Sequence, residues 1–568
     1  MSIVSVKFLT FCTNRKFSIF AFLFVESPAC PKPQKRCKPF IMLKNCRQSL
    51  LNNWKENLYL FSLGAFLVAL PTSIALLSIT AVTLLIVWIL TGDYKVKWNR
   101  LIRNKNALLM MSIPVLYLIG LCFTHNFALG LQEFNKSLYW FIFAFVLGSS
   151  SPTSYKATYR LLGLYVLVVS ITAGVALLKL LLLDSIHFFD FRQVTWIDHI
   201  PFSYQIAFVI WLVFYFIYHG NFSGIQKPLL YLLIIFLTIT LFSLKSFSAY
   251  LYCGIMSFTA LIMIIRQTKK KLLKFIFLGL LILITVFPVV YVYYSVQKFY
   301  DITEYNADEI EKYTASGNLY QHNFKNKIKE NGNYVGLFIC EEELIPLWNA
   351  HSEKKYDSGD DYPLGSVVIR YMTSKGLRKD AEGFAQLSQQ DIKNIENGMP
   401  NYIYAESKLS VYPRIYETIW ELDQYKIYRN PNEKTLSQRI EQAHLAFVII
   451  KKHIWTGIGL GNNLLAYEKA ILESGSKLVP QGTGSSHNQY LNYLIRFGIL
   501  GTLYILGVLT WIFIKGRKNN SFLITIFFVS LLAANFGEAN WETFIGLNYF
   551  GFFMCFLMWV VPKNIFKK

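Results

Sequence analysis

Short polar joints divide most of this chain into long apolar runs. A helix that crosses a bilayer takes about 20 mostly apolar residues, within a range of roughly 17–25. Runs near that length occupy 58–70, 73–90 (just past Pro71), 107–123, 138–148, 160–183, 202–218, 229–244, 247–265 and 272–294. After a long polar stretch they resume at 490–514, 522–534 and 545–561. The pattern predicts an all-α polytopic membrane protein with about 12 transmembrane helices. Four regions follow: 1–41 an N-terminal extension, 42–296 a membrane domain with helices 1–9, 297–489 a large loop, and 490–568 the last three helices with a tail.

Within the loop, 301–434 is polar, with signs of short helices. Ser388-Gln-Gln-Asp391 has the pattern of a capped helix start, and that helix can stop at Gly398. Residues 436–450 alternate apolar and polar positions at helical spacing, then break at Gly457-Ile-Gly-Leu-Gly461. No internal repeat and no low-complexity tract is found.

Composition sharpens the membrane reading. Only 16% of residues are charged, where a soluble domain has about a quarter. The formal net charge of +22 could point to nucleic acid, but the cations sit in short clusters between apolar runs, as the positive-inside rule requires. Lys95, Lys97, Arg100, Arg103 and Lys105 form one cluster, and Arg266, Lys269, Lys270, Lys271 and Lys274 another. Lys515, Arg517 and Lys518, then Lys563, Lys567 and Lys568, complete the set. With these inside, both termini are expected in the cytoplasm and 297–489 outside, in the periplasm of a cell with two membranes. No nucleic-acid partner is expected.

Near the N-terminus, Lys7, Arg15 and Lys16 precede the apolar run 17–25, which is short for a span and lacks a clear small-residue cleavage site. Translation is expected to start at Met42, a point that N-terminal sequencing of the native protein decides. The eight cysteines are scattered without a C-x-x-C pair and are expected to be free thiols rather than zinc or iron–sulfur ligands.

Charges at a membrane edge are expensive and are therefore functional candidates. The richest cluster reads Arg439-Ile-Glu-Gln-Ala-His444, then Gly457-Ile-Gly459-Leu-Gly461-Asn462, then His487-Asn488-Gln-Tyr490, with Gly498 and Gly501 in the helix that follows. This order of an Arg-led helix, a glycine turn, a His-Asn pair and a G-x-x-G helix resembles the membrane domain of O-antigen ligases, O-antigen polymerases and related O-linked oligosaccharyltransferases. The number of spans and the place of the loop agree with that family. The resemblance covers most of 58–561, and its specific residues lie mainly in 439–501.

The resemblance implies a GT-C-like glycosyltransferase architecture in the bacterial inner membrane, with the active site facing the periplasm. The donor it implies is a glycan on undecaprenyl diphosphate, and the acceptor is a lipid or glycan hydroxyl. No metal and no cofactor is expected, because cations of the protein can stabilise the diphosphate leaving group. Arg439, whose planar fork suits phosphate, and His487, as the base for the acceptor hydroxyl, are the expected catalytic pair. Lys245 stands where the family usually has an arginine, keeping the charge but losing the fork. With Arg192, it is expected to bind the diphosphate. Asn488 and Asn462 are further binding candidates, and the backbone at Gly457, Gly459 and Gly461 is expected to form an anion nest. Glu538 and Trp541 are candidates for the acceptor groove.

Each of these residues also has a plainer reading. A histidine at a membrane edge is more often a structural hydrogen-bonder, an arginine there snorkels to headgroups, and glycines relieve helix crowding. The company each keeps in the motif favours function. Ligation to a lipid A–core sugar is the leading expectation, and polymerisation of lipid-linked repeats is the alternative. A transporter is the third reading; it would place more charges at mid-membrane and often show paired repeats.

Overall fold

The computed structural model describes residues 54–182, 194–220, 222–358, 363–406, 410–480, 484–517 and 521–562. The expected start at Met42 and the candidate Arg192 lie outside the described residues.

Helices follow the apolar runs. The first group is α1 (Trp54–Thr72), α2 (Ile74–Leu90), α3 (Tyr94–Arg103), α4 (Lys105–Met111), α5 (Ile113–Leu121) and α6 (Phe127–Ser149). Then come α7 (Tyr155–Leu182), α8 (His199–His219), α9 (Gln226–Ser243), α10 (Phe247–Gln267) and α11 (Lys271–Tyr300). Among the described residues six helices are long and apolar enough to cross a membrane, or seven if the bent pair α2–α3 is one span. The expected dozen is thus only partly matched, and the reason is local. The run 107–123 is split at Ser112, where Pro114 enters the first turn of α5 and has no N–H to continue α4. The α2–α3 pair turns by 116° at Gly92 and Asp93, both at positive φ. Cys122, Cys253, Cys340 and Cys555 are free thiols, as expected.

The C-terminal helix α22 (Phe544–Cys555, continued by a π turn through Val560) forms the centre of the bundle. Its aromatic rings meet the surrounding helices on several sides: Phe552 stacks on Phe66 of α1 at 4.4 Å, and Phe553 meets Tyr165 of α7 at 4.9 Å and Phe208 of α8 at 5.1 Å. Each such ring buries roughly 150–250 Å², so a core this aromatic is held mainly by shape. Helix α11 lies at the rim, with only Ser295 and Phe299 buried, the arrangement of a lipid-facing helix.

The large loop has cores of its own. Leu344, Trp348, Val368, Tyr371 and Met372 gather α12 (Glu341–His351) and α13 (Leu364–Ser374), with α14 (Ala381–Ala385) and α15 (Gln389–Glu396) alongside. Helix α15 starts in the expected capping box of Ser388 and Asp391, and Gly398 at φ 78° follows its end. A tight hairpin pairs β1 (Lys329–Glu330) with β2 (Asn333–Tyr334) through Asn331 and Gly332, both at positive φ, as an Asn-Gly turn prefers. After α16 (Ile403–Glu406), α17 (Tyr412–Tyr428) packs Tyr416 on Phe299 of α11, at 5.3 Å between ring centres. The expected amphipathic helix is α18 (Thr435–Lys452), followed by α19 (Asn463–Ser474), α20 (Gln489–Gly516) and α21 (Ser521–Gly537).

Candidate functional site

Three distant stretches of sequence converge on one carboxylate. Glu538, in the turn after α21, takes Nη2 of Arg439 from α18 on one oxygen. Nδ1 of His487 lies 3.4 Å from the other oxygen. The second arm of Arg439 donates to the Gly537 carbonyl at 2.8 Å, so the guanidinium clasps the whole turn. The expected catalytic pair is therefore brought together, and the residue that joins it is one for which only a groove-lining role was expected. Burial alone would raise the Glu538 carboxyl, but the hydrogen bond from His487 and the charge of Arg439 hold it below its ordinary value.

His487 sits in the left-handed region at φ 50°, an uncommon place for a side chain of its size and a frequent one at functional sites. Its N–H donates to Ser485 Oγ at 3.3 Å. Asn488 then caps α20, its Oδ1 accepting from the N–H groups of Tyr490 at 3.0 Å and Leu491 at 3.1 Å while its amide donates to Phe536 O at 3.1 Å. The role that Asn488 performs here is to anchor the histidine turn to the end of α21. A cavity of about 180 Å³ opens beside His487, between α18 and α19.

Lys245 occupies the turn between α9 and α10, also at positive φ. Burial is the main reason its ammonium is pushed down to about 8, opposed by Glu417 and reinforced by Arg414, both on α17. Among the described residues no hydrogen bond or ion pair joins it to Arg439 or His487, and the charges that act on it are those of α17. The start of α10, three residues after Lys245, does approach the Glu538 turn, since a Cβ on Gly537 would stand 3.1 Å from Ser248 Oγ.

The glycine turn differs from its expected use. Its amides are consumed by protein acceptors: Gly457 N–H by His453 O at 3.0 Å, Ile458 by Ile495 O at 2.8 Å, Gly459 by Arg496 O at 3.0 Å and Leu460 by Gly120 O at 3.3 Å. Gly461 N–H does meet an anion, but it is the chain's own Glu133, at 3.2 Å. The glycines are needed for approach, since a Cβ on Gly457 would stand 2.4 Å from the Arg496 carbonyl and one on Gly461 2.5 Å from Gly130 N. Asn462 likewise bridges backbone, accepting from His125 N at 2.8 Å and donating to Phe123 O at 2.9 Å. These four residues build the floor that carries the site. Trp541 is buried, stacked on Tyr493 at 5.7 Å, and so does not line a groove.

Beneath that floor lies a charge cluster that the sequence reading did not single out. Arg496 of α20 is ion-paired with Glu133 of α6 at 3.0 Å and with Glu542. Glu542 also accepts from Asn492 at 2.9 Å and Gln489 at 3.1 Å. The available signal was an arginine within an otherwise apolar span. No curated protein matches the chain. Residues 401–506, which carry Arg439, the glycine turn, His487 and Arg496, match the family model Wzy_C, O-antigen ligase, and that match supports assigning the chain to the O-antigen ligase family.

Proposed function

We propose that the chain transfers a glycan from undecaprenyl diphosphate to an acceptor hydroxyl at the periplasmic face of the inner membrane, with the lipid A–core as acceptor. The observation that carries this reading is the single carboxylate shared by His487 and Arg439. A carboxylate on Nδ1 fixes the imidazole so that Nε2 presents its lone pair, and it stabilises the imidazolium formed when that nitrogen takes a proton. Among the described residues Nε2 has no protein partner. The acceptor oxygen attacks the anomeric carbon, the bond from that carbon to the diphosphate oxygen breaks, and the hydroxyl proton passes to His487. The lipid diphosphate leaves with the bonding electron pair.

Arg439 keeps N–H groups that no protein acceptor takes among the described residues, and in this reading they receive the charge building on the departing diphosphate. Lys245, in the turn before α10, is the second cation of this reading. The test is reconstitution of the purified protein with lipid-linked glycan and candidate acceptors. His487→Ala should accumulate in the membrane yet lose transfer by about 10²–10⁴-fold, the usual worth of a general base. Normal transfer by that variant overturns the assignment. In cells lacking the protein, loss of all attached glycan supports ligation, whereas single attached repeats point to polymerisation.

A further inference from the structure

The cavity beside His487 has a chemistry unlike the rest of the site. Its polar walls come from Gln438 and Gln442 of α18, Tyr467 of α19, Ser485 and His487, its apolar ones from Leu464, Leu478, Val479 and Pro480, and none of the described residues lining it is a lysine, arginine, aspartate or glutamate. Gln438 and Gln442 are one helical turn apart and so face the same space. Neither carboxamide has a hydrogen-bond partner among the described residues, and the Gln442 Oε1 is buried. An amide left in that state is destabilising unless something else bonds it. Ser485 Oγ already accepts from His487 N and Asn492 Nδ2, which leaves its own proton free for a ligand. The cavity, at about 180 Å³, matches the space of roughly six waters, which is about that of one monosaccharide ring.

We propose that this cavity is the subsite for the acceptor's terminal sugar, and that it selects an uncharged one. The proposal rests on the transfer reading above. Sugar hydroxyls both donate and accept, so one ring satisfies both carboxamides and the serine together, while the Tyr467 ring offers an apolar wall. A uronate or a phosphorylated sugar would bring a negative charge into a cavity whose described lining holds no lysine or arginine to pair with it. Arg439 and Glu538 are not among the described residues that line the cavity.

Two measurements on the full-length protein in detergent or liposomes test this. The first is the KM for a neutral-sugar acceptor and, separately, for the lipid-linked donor, in wild type and in Gln438→Ala/Gln442→Ala. The acceptor KM should rise about tenfold and the donor KM stay level. The second is direct binding of a free neutral oligosaccharide, and of its uronate-ended counterpart, to wild type in the absence of donor. The neutral one should bind and the uronate one bind at least tenfold more weakly. Unchanged acceptor KM in the double variant, or equal binding of both saccharides, overturns the subsite while leaving transfer intact. If wild type transfers nothing yet binds the neutral sugar through the two glutamines, the transfer reading fails and the subsite stands.

Discussion

Glu538 is the residue on which the chemistry turns, because its two oxygens tie Arg439 to His487. Glu538→Gln keeps the shape and removes the charge, so the imidazole loses its fixed orientation and the arginine its partner. The rate constant for transfer should fall by about 10²-fold, within the range that general-base catalysis contributes, with little change in acceptor KM. Its folded carboxyl lies below the ordinary value, so its stabilisation is present above the ordinary glutamate pKa and is lost only as pH falls through the lowered one. Glu538 should therefore stay ionised down to that lowered value and set no limb of the rate above it. Lys245 supplies the opposite limb. Its ammonium is held down to about 8, so the charge is present below that pH and lost above it. The donor KM should rise as pH passes about 8, and K245R, always charged, should flatten that rise. Stability runs the other way, since a buried ammonium is penalised until it loses its proton. Between about 8 and lysine's ordinary value the folded form gains as pH rises.

At the scale of elements, a broken helix is closed by a turn. Gly498 departs from helical geometry inside α20, and the carbonyls freed before it, Ile495 O and Arg496 O, accept from Ile458 and Gly459 in the glycine turn. Helix α20 in return sends Ile499 N–H to Ile454 O at 2.8 Å. Backbone groups opened near a membrane must find such partners inside the protein. Gly457→Ala forces a Cβ into the Arg496 backbone at φ 72° and should lower the melting temperature sharply in detergent. Gly475→Ala is the control, because at φ 63° with open space around it only the backbone strain remains, about 1 kcal/mol. Equal melting temperatures for the two variants would remove the packing role. What the sequence made legible here is what local pattern encodes. The apolar runs became helices, 436–450 became α18, and Ser388 with Asp391 became a cap. The glycines were visible, yet their use depended on which backbone they approach, and Gly120, Gly130 and Arg496 are all remote in sequence. Glu538 was named as a groove candidate, but its link to the catalytic pair was hidden for the same reason, since it lies 99 residues from Arg439 and 51 from His487. The Arg496 cluster joins residues 363 apart, which periodicity cannot report.

Across the whole molecule, the hairpin near the start of the large loop is held to the loop's later part around one buried carboxylate. Glu330 in the hairpin accepts from Arg370 at 2.6 and 2.8 Å, from Asn401 at 2.7 Å and from Tyr416 at 2.9 Å. Asn401 opens the matched segment, and Tyr416 sits on α17, the helix whose Arg414 and Glu417 face Lys245. The hairpin is therefore a brace for α17, the helix whose Arg414 and Glu417 act on Lys245. Glu330→Ala strands a guanidinium, an amide and a phenol together. Breaking a buried pair from one side costs about 3–5 kcal/mol, and the low end applies because Arg370 remains 23% exposed. Limited proteolysis of the variant should cut within 301–406 under conditions that leave wild type whole, while the membrane helices stay protected. Because α17 is then less firmly held, the donor KM should rise in the same variant, with His487-dependent chemistry retained once substrate is bound. A variant as resistant as wild type, with an unaltered donor KM, would show that the loop and the cation site are independent. Loosening without any change in KM would separate the two claims, keeping the clamp and discarding its reach to Lys245.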